Sequence, residues 1–211
     1  MTNYIASIAT AAVLLTGACH AADTPPARLA AANPPSATPT TAASLAASRW
    51  VQAPGSSLTF TFDQAGAASK GSFKQFSTEL AYDDKSPATG SLNVKVQIAS
   101  IDTQDQERNE MLVSADLFDA QKFPTAQFSS SSFSRTAAGS LEAVGKLTLR
   151  GVTHDLRLPL KIVPVANGLE LSGATAIKRL DYGVGQGDWK STEGVADEVK
   201  IQYKVALVKA K

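Results

Sequence analysis

Few residues of this chain have the types and spacing that chemistry requires. It holds two histidines and one cysteine, which leaves little material for a metal site or an internal disulfide. His154 lies beside Asp155 in a stretch of alternating character, where neighbours face opposite ways, so the two cannot act as base and orienter. Gly183, Gly185 and Gly187 imitate a phosphate loop, but no helical pattern follows and Lys190-Ser191 has no glycine before it. A glycine-rich hairpin or loop is expected there. Asp102, Asp105 and Glu107 lack the glycine and the spacing of a calcium loop and suit a helix N-terminus, where acids favour the dipole. No catalytic set and no metal site emerges, and the chain does not read as an enzyme.

The elements that position these residues read as strands. Leu58, Phe60 and Phe62 alternate with Ser57, Thr59 and Thr61, and Leu92, Val94, Val96 and Ile98 alternate with Ser91, Asn93, Lys95 and Gln97. The same period runs through Leu141–Leu149, Leu156–Ile162 and Val199–Leu207. Period two means one face buried and one solvated, the mark of antiparallel sheet. Weaker candidates at Lys70–Phe76, Ala126–Phe133 and Leu169–Ile177 bring the total to about eight strands. Thr103-Gln104-Asp105-Gln106 reads as a capping box with Thr103 as N-cap, predicting a helix through Met111 and Leu112. A second turn is expected near Ala115–Ala120, ending before Phe123-Pro124. One-sided strands in this number form an all-β barrel or a two-layer sandwich.

The formal net charge is +1, so nothing directs the chain to nucleic acid or to an anionic membrane surface. Ile5–Leu15 is an apolar run of eleven residues, the length of a signal-peptide core and short for a membrane span. Residues 1–21 are therefore expected to be a signal peptide cleaved after Ala21. Alternatively, Leu15-Thr16-Gly17-Ala18-Cys19 resembles a lipoprotein box, with Cys19 as the lipidated residue. The first outcome gives a soluble periplasmic protein and the second a membrane-anchored one. Residues 22–48, rich in Ala, Pro, Thr and Ser, are expected to be a disordered linker, leaving 49–211 as the folded domain.

Several stretches, in order, resemble the YceI family of exported lipid-binding proteins. They are Ala99–Thr103, Arg108, Ser114–Asp119, Lys122–Phe128, Gly145–Thr153 and Gly194–Val199. Arg179–Trp189 is similar to YceI-like domains found beside, or fused to, membrane cytochromes b of the b561 type. Two departures are visible. Gln52-Ala53-Pro54-Gly55-Ser56 stands where the family often has Asp-x-x-His-Ser, and Arg108-Asn109 where an Arg-Asp pair is usual. The resemblance implies a lipocalin-like antiparallel barrel of about eight strands, with a short helical insertion near residues 104–120. It also implies an interior that holds a polyisoprenoid chain such as a quinone.

The expected ligand-lining residues are then Phe60, Phe62, Phe73, Phe118 and Phe128, with Val94, Val96, Leu147, Leu158 and Val205. Such side chains fill a solid core equally well, so the cavity itself rests on the resemblance. Arg108 either points to the barrel mouth, toward a quinone oxygen or a phosphate, or pins its helix by pairing with Asp105 or Asp116. No cofactor is expected beyond a bound isoprenoid or quinone. The leading expectation is a periplasmic isoprenoid carrier, and the rival is an accessory domain docking on a membrane cytochrome b.

Overall fold

Every strongly alternating stretch of the sequence is a strand. The computed structural model describes residues 48–211. The leader 1–21, Cys19 and the linker 22–48 lie outside the described residues, except Ser48, with which the first strand already begins. In chain order the strands are β1 (Ser48–Gln52), β2 (Ser57–Gln64), β3 (Ala67–Phe73), β4 (Phe76–Tyr82), β5 (Ser91–Gln97) and β6 (Ile101–Asp102). After the helix α1 (Gln106–Val113) come β7 (Thr125–Arg135), β8 (Leu141–Leu149), β9 (Val152–Val165), β10 (Gly168–Lys178) and β11 (Val195–Lys209).

Eight of these close an antiparallel barrel in the order β1-β4-β5-β7-β8-β9-β10-β11, with β11 returning to β1. At 15 residues, β11 is long enough to serve two partners on one edge: Leu207–Lys209 pair with β1, and Val195–Lys204 pair with β2. β1 and β2 thus act as one strand broken at Ala53–Ser56, and β3 and β4 as another broken at Lys74-Gln75. Below the breaks β1 pairs with β4; above them β2 pairs with β3, which then meets only the short β6. The candidate strand Lys70–Phe76 is corrected accordingly, since it runs across the second break.

The helix starts as expected but not from the expected residue. Gln104 takes a left-handed φ of +61°, which turns Thr103 away from the cap position. Asp105 is the N-cap, its carboxylate accepting the Arg108 N–H at 3.1 Å. Thr103 is buried instead, its N–H and its hydroxyl both donating to Asn109 Oδ1 at 2.9 and 2.7 Å. That role needs only an acceptor oxygen, which asparagine supplies as well as aspartate. The second helical turn near Ala115–Ala120 is replaced by non-helical turns, with Asp119 at φ +50°.

Toward the end that carries β1, inward side chains pack against one another above a pocket lined by Trp50, Tyr82, Ile162 and Leu169. Leu80 and Leu207 are each at most 2% exposed there. Toward the other end, which carries α1, β9 and β10 diverge, and their register stops at Lys161 and Ser172. Pro159 has no N–H to continue the ladder. Its carbonyl accepts instead from the Tyr203 hydroxyl, which reaches across beside Gly173. A Cβ at Gly173 would collide with both groups, so only glycine leaves the path open.

Candidate functional site

The inward residues of the strands enclose an apolar cavity of about 210 Å³. Its lower limit can be read strand by strand. Thr78 on β4, Leu92 on β5, Phe128 on β7, Leu158 on β9, Leu171 on β10 and Val205 on β11 are the lowest lining residues. The next inward residues down, including Leu80, Leu160, Leu169 and Leu207, belong to the packed plug. Thus Leu141, Leu160, Ile162 and Leu207, though they lie in the alternating stretches, sit below the chamber.

All eleven residues expected from the sequence line this one cavity. Phe60 and Phe62 on β2 and Phe73 on β3 form the wall near β6, with Phe60 and Phe73 ring centroids 5.4 Å apart. Phe118, in the turns after α1, meets Phe73 edge-on. Val94 and Val96 project from β5, Phe128 from β7 and Leu147 from β8. Leu158 and Val205 complete the lower wall.

Arg108 makes one of its two expected pairings and also reaches the cavity. Its guanidinium lies 3.5 Å from the Asp105 carboxylate, and the side chain lines the cavity beside Met111 and Leu112. Asp116 does not take part in that pair. Its backbone carbonyl accepts from the N–H groups of Gly185 and Gln186 at 3.2 and 2.7 Å, joining the turns after α1 to the glycine-rich loop. Arg150 adds a second tie by donating to the Ala115 carbonyl at 2.7 Å.

Sequence reasoning missed Arg179, although it organises that loop. All five guanidinium N–H groups donate to carbonyls: Ala196, Val184, Trp189, Ser191 and Val195, at 2.7 to 3.1 Å. Burial lowers its pKa, against the opposing charge of Asp197. The carbonyls around the three glycines therefore converge on a cation, the reverse of a phosphate loop, in which N–H groups converge on an anion. The usable signal was an arginine at a strand end just ahead of a glycine-rich loop. Also missed were Thr78 on β4, and Leu117, Val184 and Trp189.

His154 and Asp155 point to opposite faces, as expected. The imidazole Nε2 donates to the Asp181 carbonyl at 3.0 Å and its ring meets Tyr182 edge-on. Asp155 pairs with Lys146 at 2.6 Å, and that bond holds its carboxyl below the ordinary range. Among the described residues, no group of three or more His, Cys, Asp or Glu is placed to hold a metal.

Residues 50–207 match the YceI-like domain family. Protein YceI of Escherichia coli O157:H7 is 38% identical over 93 residues, covering 44% of this chain and 48% of that one. The chain thus spans about half the length of that curated relative. UPF0312 protein YE1254 of Yersinia enterocolitica is 32% identical over 149 residues, 67% of this chain and 74% of that one. Among solved structures, BcnA of Burkholderia cenocepacia aligns with TM-score 0.68 at 31% identity, covering 71% of this chain and 94% of that one. A domain from Saccharophagus degradans, described as polyisoprenoid-binding, shares the fold with TM-score 0.62 at 15% identity, over 77% of this chain and 99% of that one. With a matching domain that spans its barrel and relatives at this level of identity, the chain belongs to the YceI-like family.

Proposed function

We propose that the protein is an exported carrier that holds a long isoprenoid chain, such as that of a polyprenyl quinone, inside the barrel. The observation that carries this reading is the apolar cavity running from α1 down to the plug. Its 210 Å³ falls below the roughly 300–1,000 Å³ typical of drug-sized pockets, so it suits a slim chain in single file. Burial supplies the affinity at about 0.8 kcal/mol per CH₂, while association costs about 4–15 kcal/mol. Several isoprene units are therefore needed for firm binding. The polyisoprenoid-binding description of the domain from Saccharophagus degradans supports the same ligand class.

Mass spectrometry of an organic extract from the purified protein tests the reading. A prenyl compound in stoichiometric amount is the expected result; repeated extracts without lipid refute it. A second reading, docking on a membrane cytochrome b, is favoured by one feature. The Arg179–Trp189 stretch that resembles cytochrome-associated domains contributes Arg179, Val184 and Trp189 to the cavity, so a partner seated there would cover the ligand's path. Co-purification of an empty barrel with a membrane cytochrome would favour that reading over the carrier.

A further inference from the structure

The polar residues buried in the barrel fall into two groups. Arg179, Thr103 and Ser130 are at most 7% exposed, and each is bonded. Arg179 donates to five carbonyls, Thr103 donates to Asn109, and the Ser130 hydroxyl lies 2.8 and 2.9 Å from the Ser132 and Val144 carbonyls at the β7 bulge. Thr78 is the exception on the cavity wall. Trp50 Nε1, Gln52 Oε1 and Arg150 Nε also lack a partner among the described residues, but none of these three residues lines the cavity. Thr78 is 1% exposed, and among the described residues its hydroxyl has no hydrogen-bond partner.

Its position gives that hydroxyl a meaning. On β4 the inward residues are Phe76, Thr78 and Leu80, and Thr78 is the last of them to line the cavity before the plug. Its neighbour across the sheet is Val94, and the rest of the floor ring is Leu92, Phe128, Leu158, Leu171 and Val205. Valine would fit this β-branched site with no desolvated hydroxyl, since a buried polar group without a partner is destabilising. A hydroxyl kept at the bottom of an apolar shaft is matched to a ligand atom that arrives there.

We infer that the ligand is an oxygen-bearing isoprenoid that enters oxygen end first, and that Thr78 hydrogen-bonds that oxygen at the cavity floor. The inference rests on the carrier reading and adds an orientation to it. Threonine both donates and accepts, so the oxygen can belong to a carbonyl, an ether or an alcohol. Arg108, already paired with Asp105, is then left beside the hydrocarbon end at the rim.

The test compares two probes, geranylgeraniol and an isoprenoid hydrocarbon of the same length, on delipidated full-length wild type, T78V and T78S. Competition against a fluorescent apolar dye gives both affinities. The ratio of alcohol to hydrocarbon affinity is expected to fall by roughly two- to tenfold in T78V and to recover in T78S. Delipidated T78V is expected to melt no lower than wild type, because no protein partner loses a bond. An unchanged ratio in T78V, or a clearly lower melting temperature, overturns the inference while leaving the carrier reading in place. If wild type binds neither probe, the carrier reading falls and this inference with it.

Discussion

Tyr203 carries two duties that a phenylalanine could only half perform. Its ring lines the cavity, and its hydroxyl closes the gap between β9 and β10 by donating to the Pro159 carbonyl. Removing the hydroxyl leaves that carbonyl without its donor, so Tyr203→Phe is expected to lower unfolding free energy by about 1–3 kcal/mol, read from urea denaturation. Burial also raises the Tyr203 pKa above the ordinary 10.0. The folded state therefore holds the phenolic proton more tightly than the unfolded state does. That contribution is complete below pH 10.0 and is lost as pH climbs toward the folded value. Stability should thus fall as pH rises above about 10 in wild type, and fall less steeply in Tyr203→Phe. Part of the slope should persist in the variant, because burial raises Tyr82 and Tyr182 as well.

At the scale of elements, the loop after β10 depends on a single side chain. Lysine at position 179 would keep the charge but offer at most three donors to five carbonyls, and without the planar fork. Arg179→Lys is expected to cost about 3 kcal/mol or more, since bonds to a charged group are worth roughly 1.5–3 kcal/mol each. Protease cleavage should also appear between Gly183 and Gly194, and a variant as resistant as wild type would refute this account of the loop. Elements were legible in the sequence where burial is strictly one-sided, as in β2, β5, β8, β9 and β11. β4 was missed because Thr78 interrupts its inward face and Ala81 softens its outward one. The Thr103 cap misled because the sequence does not display the left-handed turn at Gln104. Arg179 and the Tyr203–Pro159 bond depend on residues brought together only by closure of the barrel, and local pattern cannot reveal them. The nine lining residues that stand on strands were legible because inward alternation and the family resemblance point to the same faces, whereas Arg108 and Phe118 came from the resemblance and residue type alone.

At the largest scale, the described residues form a barrel divided along its axis into a packed plug and a chamber, and the two halves should answer mutation in opposite ways. In the plug, Leu207 is 2% exposed and lies outside the chamber, so Leu207→Ala should cost about 2–5 kcal/mol and leave lipid binding intact in whatever protein folds. In the chamber, Val94 and Val96 stand on β5, with Val94 between Thr78 and Phe128 in the sheet register. Replacing either with phenylalanine in a solid core would overpack it, at a cost of typically about 1–3 kcal/mol. In a chamber the added ring takes space the ligand needs, and new apolar contacts offset what strain remains. Val94→Phe is therefore expected to carry much less co-purified lipid while its delipidated form melts at or above the wild-type temperature. Delipidated protein is the proper reference, because bound ligand stabilises the wild type by mass action and would disguise the comparison. A charged replacement such as Val94→Asp does not discriminate, since an unpaired carboxylate is penalised in a filled core and in an apolar chamber alike. If Val94→Phe and Val96→Phe both lose stability to the extent that overpacking predicts, and neither they nor wild type yield lipid, the upper barrel is a core and the carrier reading is wrong.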